Sequence, residues 1–485
     1  MKKGDDRRES LPSPNGIVRL DAPRPPETTR PRRCGSVQIC DGGSSHSELA
    51  QHRFRTFFHA LPQIFLDRRE LWTCGRFGRL AQRWAESHAE HKKGAASNVA
   101  IVGLGFGAQF IPIYKRHPLV NMYAISRRSK AALDAVGNAF AVERRYERFE
   151  DVLADREVHF VHINSPLTDH GWMTIAALKA GKHVMCTVPM ALSVDECRQI
   201  VTLVRDTGLK YMMAETVLYS REYLYTRELC RSGRLGRIQF LQGSHHQDMD
   251  GRPDGWPGLP PMYYATHCVA PCLSIVDGEA ETVSCFGSGR IRDDLIARYG
   301  SPFAIETAHI SIKNSDVVAR VYRCLFDAAR QYRESFDVFG DKLSIEWPLI
   351  EGEGLILHTP KRAQARTAQH IAVPDYAELL PEPIRHFTTK TFLHLPEYQS
   401  LALGEGADPD GTHAHLVTDP GSLEGHGGSH PHLVHEFVSA LHAARDPFPD
   451  SVRSANITCA GILAHESAMK GGALLRLPDF TLRSA

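Results

Sequence analysis

Apolar residues cluster from Asn98 onward in short runs that alternate with helical stretches. VAIVGL predicts a buried strand running into the glycine-rich FGAQF and then a helix. MYAIS (122–126), VHFVHINS (158–165), KHVMCT (182–187) and LKYMMAE (209–215) predict further strands. Between them, DHGWMTIAALKAG reads as a helix closed by Gly181. DECRQIVTLVRDTG reads as a second, headed by Ser193 and Glu196 at capping-box spacing. Strands and helices alternating in this way predict a parallel sheet with right-handed crossovers.

After Tyr219 the rhythm alters. A helix (REYLYTRELCRSG) leads into RIQFLQGSHH. The segments ETVSCFGSGRI, AHISIKNSDVVARVYRCLF and ESFDVFGDKLSIEW then alternate apolar and polar positions. That alternation predicts a mostly antiparallel sheet with one covered face. A loop rich in Gly, His and Asp spans 402–431, and helices near 431–444 and 452–470 close the chain. The fold class expected is α/β: an N-terminal Rossmann parallel sheet, then an α/β domain with an open, mostly antiparallel sheet.

The first 45 residues, rich in Pro, Arg, Gly and Ser, bury too little apolar surface to offset their ordering entropy and read as disordered. Residues 47–90 carry enough aromatics for one or two short helices without a role. The expected organisation is an extension (1–96), a Rossmann domain (97–218) and a C-terminal domain (219–485).

Composition narrows the function classes. In a chain of 485 residues, Lys+Arg 57 against Asp+Glu 56 gives no surplus that selects nucleic acid or an anionic membrane as partner. The 11 cysteines form no C-x-x-C pair, which reads as reduced thiols in a cytoplasmic protein rather than a zinc module or secreted framework. No apolar run approaches the roughly 18 residues a membrane helix needs.

The strongest motif is Gly103-Leu104-Gly105-Phe106-Gly107-Ala108, which fits G-x-G-x-x-G/A between a predicted strand and helix. Gly103 allows the tight turn, Gly105 lets a pyrophosphate approach the backbone, and the small residues after it allow close helix–strand packing. A nicotinamide dinucleotide is the expected cofactor. Where an acidic residue would normally meet the ribose hydroxyls, the chain has Ser126, Arg127 and Arg128. Guanidinium groups there suit a 2′-phosphate, so NADP is expected slightly ahead of NAD.

With these motifs the chain from about residue 97 resembles the Gfo/Idh/MocA oxidoreductases. Ser165-Pro166 followed by His170 is similar to the family's T-P-x-x-x-H segment. AALKAGKHVMCTVPMALSVDEC is similar to its A-L-x-A-G-K-H-V-x-x-E-K-P stretch. The resemblance implies a Rossmann domain, then a substrate domain whose open sheet face serves homo-oligomerisation. It also implies cofactor contacts from Ser165, His170 and the Thr187-Val188-Pro189 turn. Two departures stand out: Thr187-Val188-Pro189 replaces Glu-Lys-Pro, and Tyr263 replaces the aspartate of the D-x-x-x-H helix, leaving His267. A narrower resemblance is to the nicotinamide-dependent α-N-acetylgalactosaminidases. It rests on Tyr264-Ala265-Thr266-His267, Gly425-His426-Gly427-Gly428 and MMAETVLYSREY (212–223).

Oxidation of a secondary alcohol needs a general base for the hydroxyl proton. Tyr264 and His267, three apart on one side of a helix, are the expected catalytic pair, one taking the proton and the other orienting the substrate. His245, His246 and Asp248, after the first strand of the second domain, are candidate substrate contacts, as are Tyr263 and His426. The run His413, His415, His426, His430, His432 and His435 shows composition rather than ligand geometry, so no metal is assigned. Three functions then compete. An NAD(P)-dependent oxidoreductase acting on a sugar, cyclitol or similar polyol comes first, then a redox-neutral glycosidase, then a cofactor-binding protein without turnover.

Overall fold

A computed structural model describes residues 96–249, 259–330, 332–350, 353–360, 368–389 and 425–481. The expected disorder of the extension and most of the 402–431 loop lie outside these residues. The first sheet holds six strands, β1 (Ser97–Val102), β2 (Val120–Ser126), β3 (Arg144–Tyr146), β4 (Phe160–Ile163), β5 (His183–Thr187) and β6 (Tyr211–Ala214). All pair in parallel in the order β3-β2-β1-β4-β5-β6, so the chain reverses direction across the sheet between β1 and β4. In a doubly wound sheet that point, at the carboxyl ends of the strands, is where a ligand crevice opens. Strands β1, β4, β5 and β6 are mostly apolar because helices cover both faces, whereas the edge strand β3 (Arg144–Tyr146) is polar.

The helices of this half are α1 (Ile111–Arg116), α2 (Lys130–Ala139), α3 (Phe149–Ala154), α4 (His170–Lys179) and α5 (Val194–Thr207). Ser193 caps α5 as its spacing predicts: its Oγ accepts from the Glu196 amide at 3.2 Å and donates to Glu196 Oε2 at 3.0 Å. Gly208, at φ +71, stops α5 in the left-handed conformation. The helix expected directly after the glycine motif is broken. A 3₁₀ turn (Gly107–Phe110) comes first, and α1 is only six residues long with Pro112 in its first turn.

The second half opens with α6 (Arg221–Arg231) and β7 (Ile238–His246), followed by α7 (Thr266–Ile275), β8 (Ala280–Ser288) and α8 (Asp293–Tyr299). Strands β9 (Ile305–Ile312), β10 (Val318–Cys324), β11 (Arg333–Gly340), β12 (Ser344–Glu346), β13 (Leu355–His358) and β14 (Ala368–Ile371) complete most of the sheet. Then come α9 (Gly425–His442), α10 (Ser451–Met469) and β15 (Leu475–Arg476). The sheet runs β14-β13-β12-β11-β7-β10-β9-β8-β15. It is antiparallel except at its centre, where β7 and β10 run parallel. The alternation along β9 and β10 marks one covered face, as expected.

The two halves are not separate along the chain. α10 packs on both α5 and β8. From α9, Phe437 meets Phe160 of β4 with ring centroids 5.3 Å apart. The last two helices of the nominal C-terminal domain therefore complete the core of the first.

Candidate active site

The glycine motif has the backbone its pattern implies. Gly103 sits at φ +87, and a Cβ there would lie 2.4 Å from the Asn164 carbonyl oxygen. Only glycine fits both demands. A Cβ on Gly107 would lie 2.9 Å from Ile101 Cγ2, so this residue serves turn–strand packing. Gly105 differs: nothing lies within 4 Å of where its Cβ would point. The loop thus offers an open backbone surface at the switch point, the cradle a pyrophosphate needs. Ser126, at the end of β2, accepts the Gly103 amide through its carbonyl at 2.9 Å. Arg127 is half-buried and Arg128 exposed beside it.

The turns after β4 and β5 are pinned together. His170 Nδ1 lies 2.8 Å from the Pro189 carbonyl, and Nε2 lies 2.9 Å from that of Ser165. Thr187 Oγ1 donates to the Ile163 carbonyl at 3.2 Å and lies 3.3 Å from His170 Nε2. His170 therefore shapes the crevice wall from within, fully buried, with Val188 and Pro189 behind it.

The chemistry gathers beyond β6. Three residues stand side by side across the second sheet. Arg323 of β10 and Glu334 of β11 are the register partners of His245 on β7. Above this row lies α7. It comes close because Gly243 has no side chain, where a Cβ would lie 2.2 Å from the Cys268 carbonyl oxygen. That approach brings His267 over the row. Its Nδ1 lies 2.6 Å from Glu215 Oε1, at the end of β6, and its Nε2 lies 3.4 Å from the Tyr264 hydroxyl and 3.8 Å from Glu334 Oε1.

Burial pulls His267 down, but the Glu215 and Glu334 carboxylates outweigh it and hold the imidazole above its ordinary pKa. Burial pushes Glu334 up, and His267, His426, the Tyr332 hydroxyl and Arg323 together bring it below the usual carboxylate value. His245, fully buried and beside Arg323, is held well below its usual range. Arg323 is anchored by donating from Nε to the Tyr264 carbonyl (2.8 Å) and from Nη1 and Nη2 to the His245 carbonyl (3.2 Å) and Gln247 Oε1 (3.0 Å). Its burial lowers the guanidinium pKa to about 10.

The Gly425–Gly428 segment joins the two halves of the site. His426, Gly427 and Gly428 take φ of 46°, 64° and 79°, a left-handed run inside α9. Arg221 Nε donates to the Gly427 carbonyl at 3.4 Å and its Nη2 to that of Thr388 at 3.0 Å. The His426 ring then stacks on His267 (6.4 Å) and meets Phe106 of the glycine loop edge-on (5.6 Å).

Of the residues singled out from sequence, the structure unites Tyr264, His267, His245 and His426. It does not bring in three others. His246 points to the opposite face of β7, where it meets Tyr322 at 5.2 Å, because strand neighbours alternate. Asp248 is exposed beyond the strand end. Tyr263 turns to His465 of α10 (5.4 Å). Tyr264 belongs to a 3₁₀ turn (Pro261–Tyr264) before α7 rather than to the helix face expected. The sequence reading missed Glu215, Arg323 and Glu334. Glu215 lies within the MMAETVLYSREY segment, which was its one available signal; the other two sit in ordinary alternating strands.

Residues 97–215 match the family model described as the oxidoreductase family with NAD-binding Rossmann fold (Gfo/Idh/MocA). An uncharacterized oxidoreductase of Synechocystis sp. is 32% identical over 145 residues, 30% of this chain and 39% of that protein. A glycosyl hydrolase family 109 protein of Shewanella baltica is 37% identical over 101 residues, 21% of this chain and 22% of its own. The aligned stretches thus span under two fifths of these relatives' own length. Among solved structures, levoglucosan dehydrogenase with NADH and levoglucosan superposes at a TM-score of 0.60 with 19% identity, covering 79% of this chain and 100% of that one. An oxidoreductase from Agrobacterium radiobacter, in complex with NAD+, L-tartaric acid and magnesium, gives 0.60 at 14% identity, covering 79% and 98%. Residues 97–215 are thus similar to the Gfo/Idh/MocA oxidoreductase family, and both halves share the fold of these solved structures. Among the described residues no helix is long and apolar enough to cross a membrane.

Proposed function

We propose that the protein is an NAD(P)-dependent oxidoreductase acting on a secondary hydroxyl of a sugar, cyclitol or similar polyol. The observation that carries this reading is His267, buried and carboxylate-held through Nδ1, with Nε2 turned to the Tyr264 hydroxyl. The glycine loop around Gly103 and Gly105 would hold a nicotinamide dinucleotide, which would supply the hydride acceptor for the carbinol carbon. The chain's own residues do the rest. One of Tyr264 and His267 takes the hydroxyl proton, and the other orients the substrate oxygen. Glu215 fixes the imidazole's orientation, and Arg323 fixes the Tyr264 backbone. Arg127 and Arg128 favour NADP slightly over NAD, and the open face of the second sheet is the surface expected to pair copies of the chain.

Replacing His267 by Ala or Tyr264 by Phe should lower turnover by about 100-fold or more with cofactor affinity unchanged. Turnover that survives both changes would remove the pair from the chemistry. One observation favours a second reading, a redox-neutral glycosidase: the Gly425–Gly428 segment lies on His267, and a stretch of the chain resembles a glycosyl hydrolase family 109 protein. Release of aglycone without net NAD(P)H would select it. Denaturing the fresh protein and identifying released nucleotide separates the two, since tightly retained cofactor fits the redox-neutral cycle.

A further inference from the structure

We propose that His245, His267 and Glu334 bind one divalent first-row transition-metal ion of the Zn²⁺ class, with a coordination position left for the substrate hydroxyl. The role given to the ion rests on the polyol reading above, but the binding itself does not.

The three ligand atoms come from β7, α7 and β11 and all lie within 4.8 Å of one another. Glu334 Oε1 is 4.0 Å from His245 Nε2 and 3.8 Å from His267 Nε2. An ion bonded at about 2.0–2.2 Å holds tetrahedral ligand atoms about 3.4 Å apart. Small side-chain rotations close the difference.

Two independent features point to an ion rather than to a hydrogen-bonded core. The His245 side chain is fully buried, yet neither of its ring nitrogens has a hydrogen-bond partner among the described residues. An unsatisfied buried polar group of this kind costs about 1–3 kcal/mol, and a metal bond would relieve it at Nε2. His267 already has the support typical of a metal-bound imidazole: a carboxylate on Nδ1 that leaves the Nε2 lone pair facing the other two groups. Glu334 is held in turn by the Tyr332 hydroxyl, which donates to Oε1.

Two imidazoles and one carboxylate suit Zn²⁺ and leave a fourth position open. The Tyr264 hydroxyl and the His426 ring flank that side of His267. An ion there would hold the substrate oxygen and lower the pKa of its hydroxyl. His267 would then be the orienting member of the Tyr264–His267 pair.

The test uses the full-length protein stripped with EDTA. Zn²⁺ is titrated calorimetrically, and Co²⁺ is followed through its visible d–d absorption. The expected result is one ion per chain, with affinity reduced at least tenfold in both His245→Ala and Glu334→Gln. Thermal melts check that the variants fold; the isosteric Glu334→Gln carries the test if His245→Ala does not. No binding by the parent protein overturns the proposal. So does binding that keeps its stoichiometry and affinity in the folded variants, which would place the ion elsewhere. NAD(P) binding is measured on the same stripped protein. If the nucleotide binds and the metal does not, this proposal fails alone; if the nucleotide does not bind, the functional reading fails whatever the metal does.

Discussion

Gly103 and Gly105 lie two residues apart in one motif and answer to different constraints. At Gly103 both the dihedral and the neighbouring backbone exclude a side chain, so Gly103→Ala should destabilise the fold by about 2–4 kcal/mol, read as a clear drop in melting temperature. Gly105→Ala meets open space and should leave the melting temperature nearly unchanged while weakening NAD(P) binding tenfold or more by titration. Equal loss of stability in both would mean that the second glycine is structural and not a phosphate cradle. Glu215 makes a similar separation possible within the proposed catalytic cluster. Glu215→Gln keeps the shape and removes the charge facing His267 Nδ1, so turnover should fall by about 10- to 100-fold with NAD(P) affinity unchanged. A parallel loss of cofactor binding would instead mark Glu215 as part of the crevice wall.

At the scale of elements, α9 is held to the first sheet by histidines as well as by apolar contacts. His117, just after α1, places Nε2 3.1 Å from His435 Nδ1 of α9, and its own Nδ1 accepts the Leu119 amide at 3.2 Å. Burial, with the nearby His435 and His442, lowers His117 to about 4. The unfolded chain takes up this proton near pH 6.5 and the folded chain not until about pH 4. Stability is therefore complete above pH 6.5 and is lost as pH falls through that interval, by up to about 3 kcal/mol. His117→Asn keeps an acceptor for the Leu119 amide and removes the titration. Its melting temperature should fall less steeply between pH 6.5 and 4.5 than that of the parent. Identical slopes would show that other groups govern acid sensitivity.

For the molecule as a whole, the return of α9 and α10 onto the first sheet has a cost for dissection. Leu433, Val434, Phe437 and Val438 of α9 are fully buried, and so are Ala455, Cys459 and Ala460 of α10. A chain ending before Gly425 would expose the surfaces they cover on β4, α5 and β8. It should be insoluble or melt without cooperativity, whereas a doubly wound domain complete in itself would survive the cut. The same return explains why one site draws on both sheets. The glycine loop, the end of β6 and the row across β10, β7 and β11 meet at His426 and His267.

The sequence by itself determined the parallel sheet and the glycine loop, because period, caps and glycines are local. Ser193, Gly208 and Gly103 each act on the backbone within a few residues of themselves. It also marked Tyr264, His267 and His426, through short motifs that keep their spacing. Only the tertiary structure decided which polar residues meet. Whether His245 or His246 faces the cluster depends on the register of β7 against β11, and one residue of slip would exchange them. Glu334 and Arg323 look like any half-buried strand residue until pairing sets them on either side of His245. Their chemistry is a property of the row, and no single segment of the chain contains it.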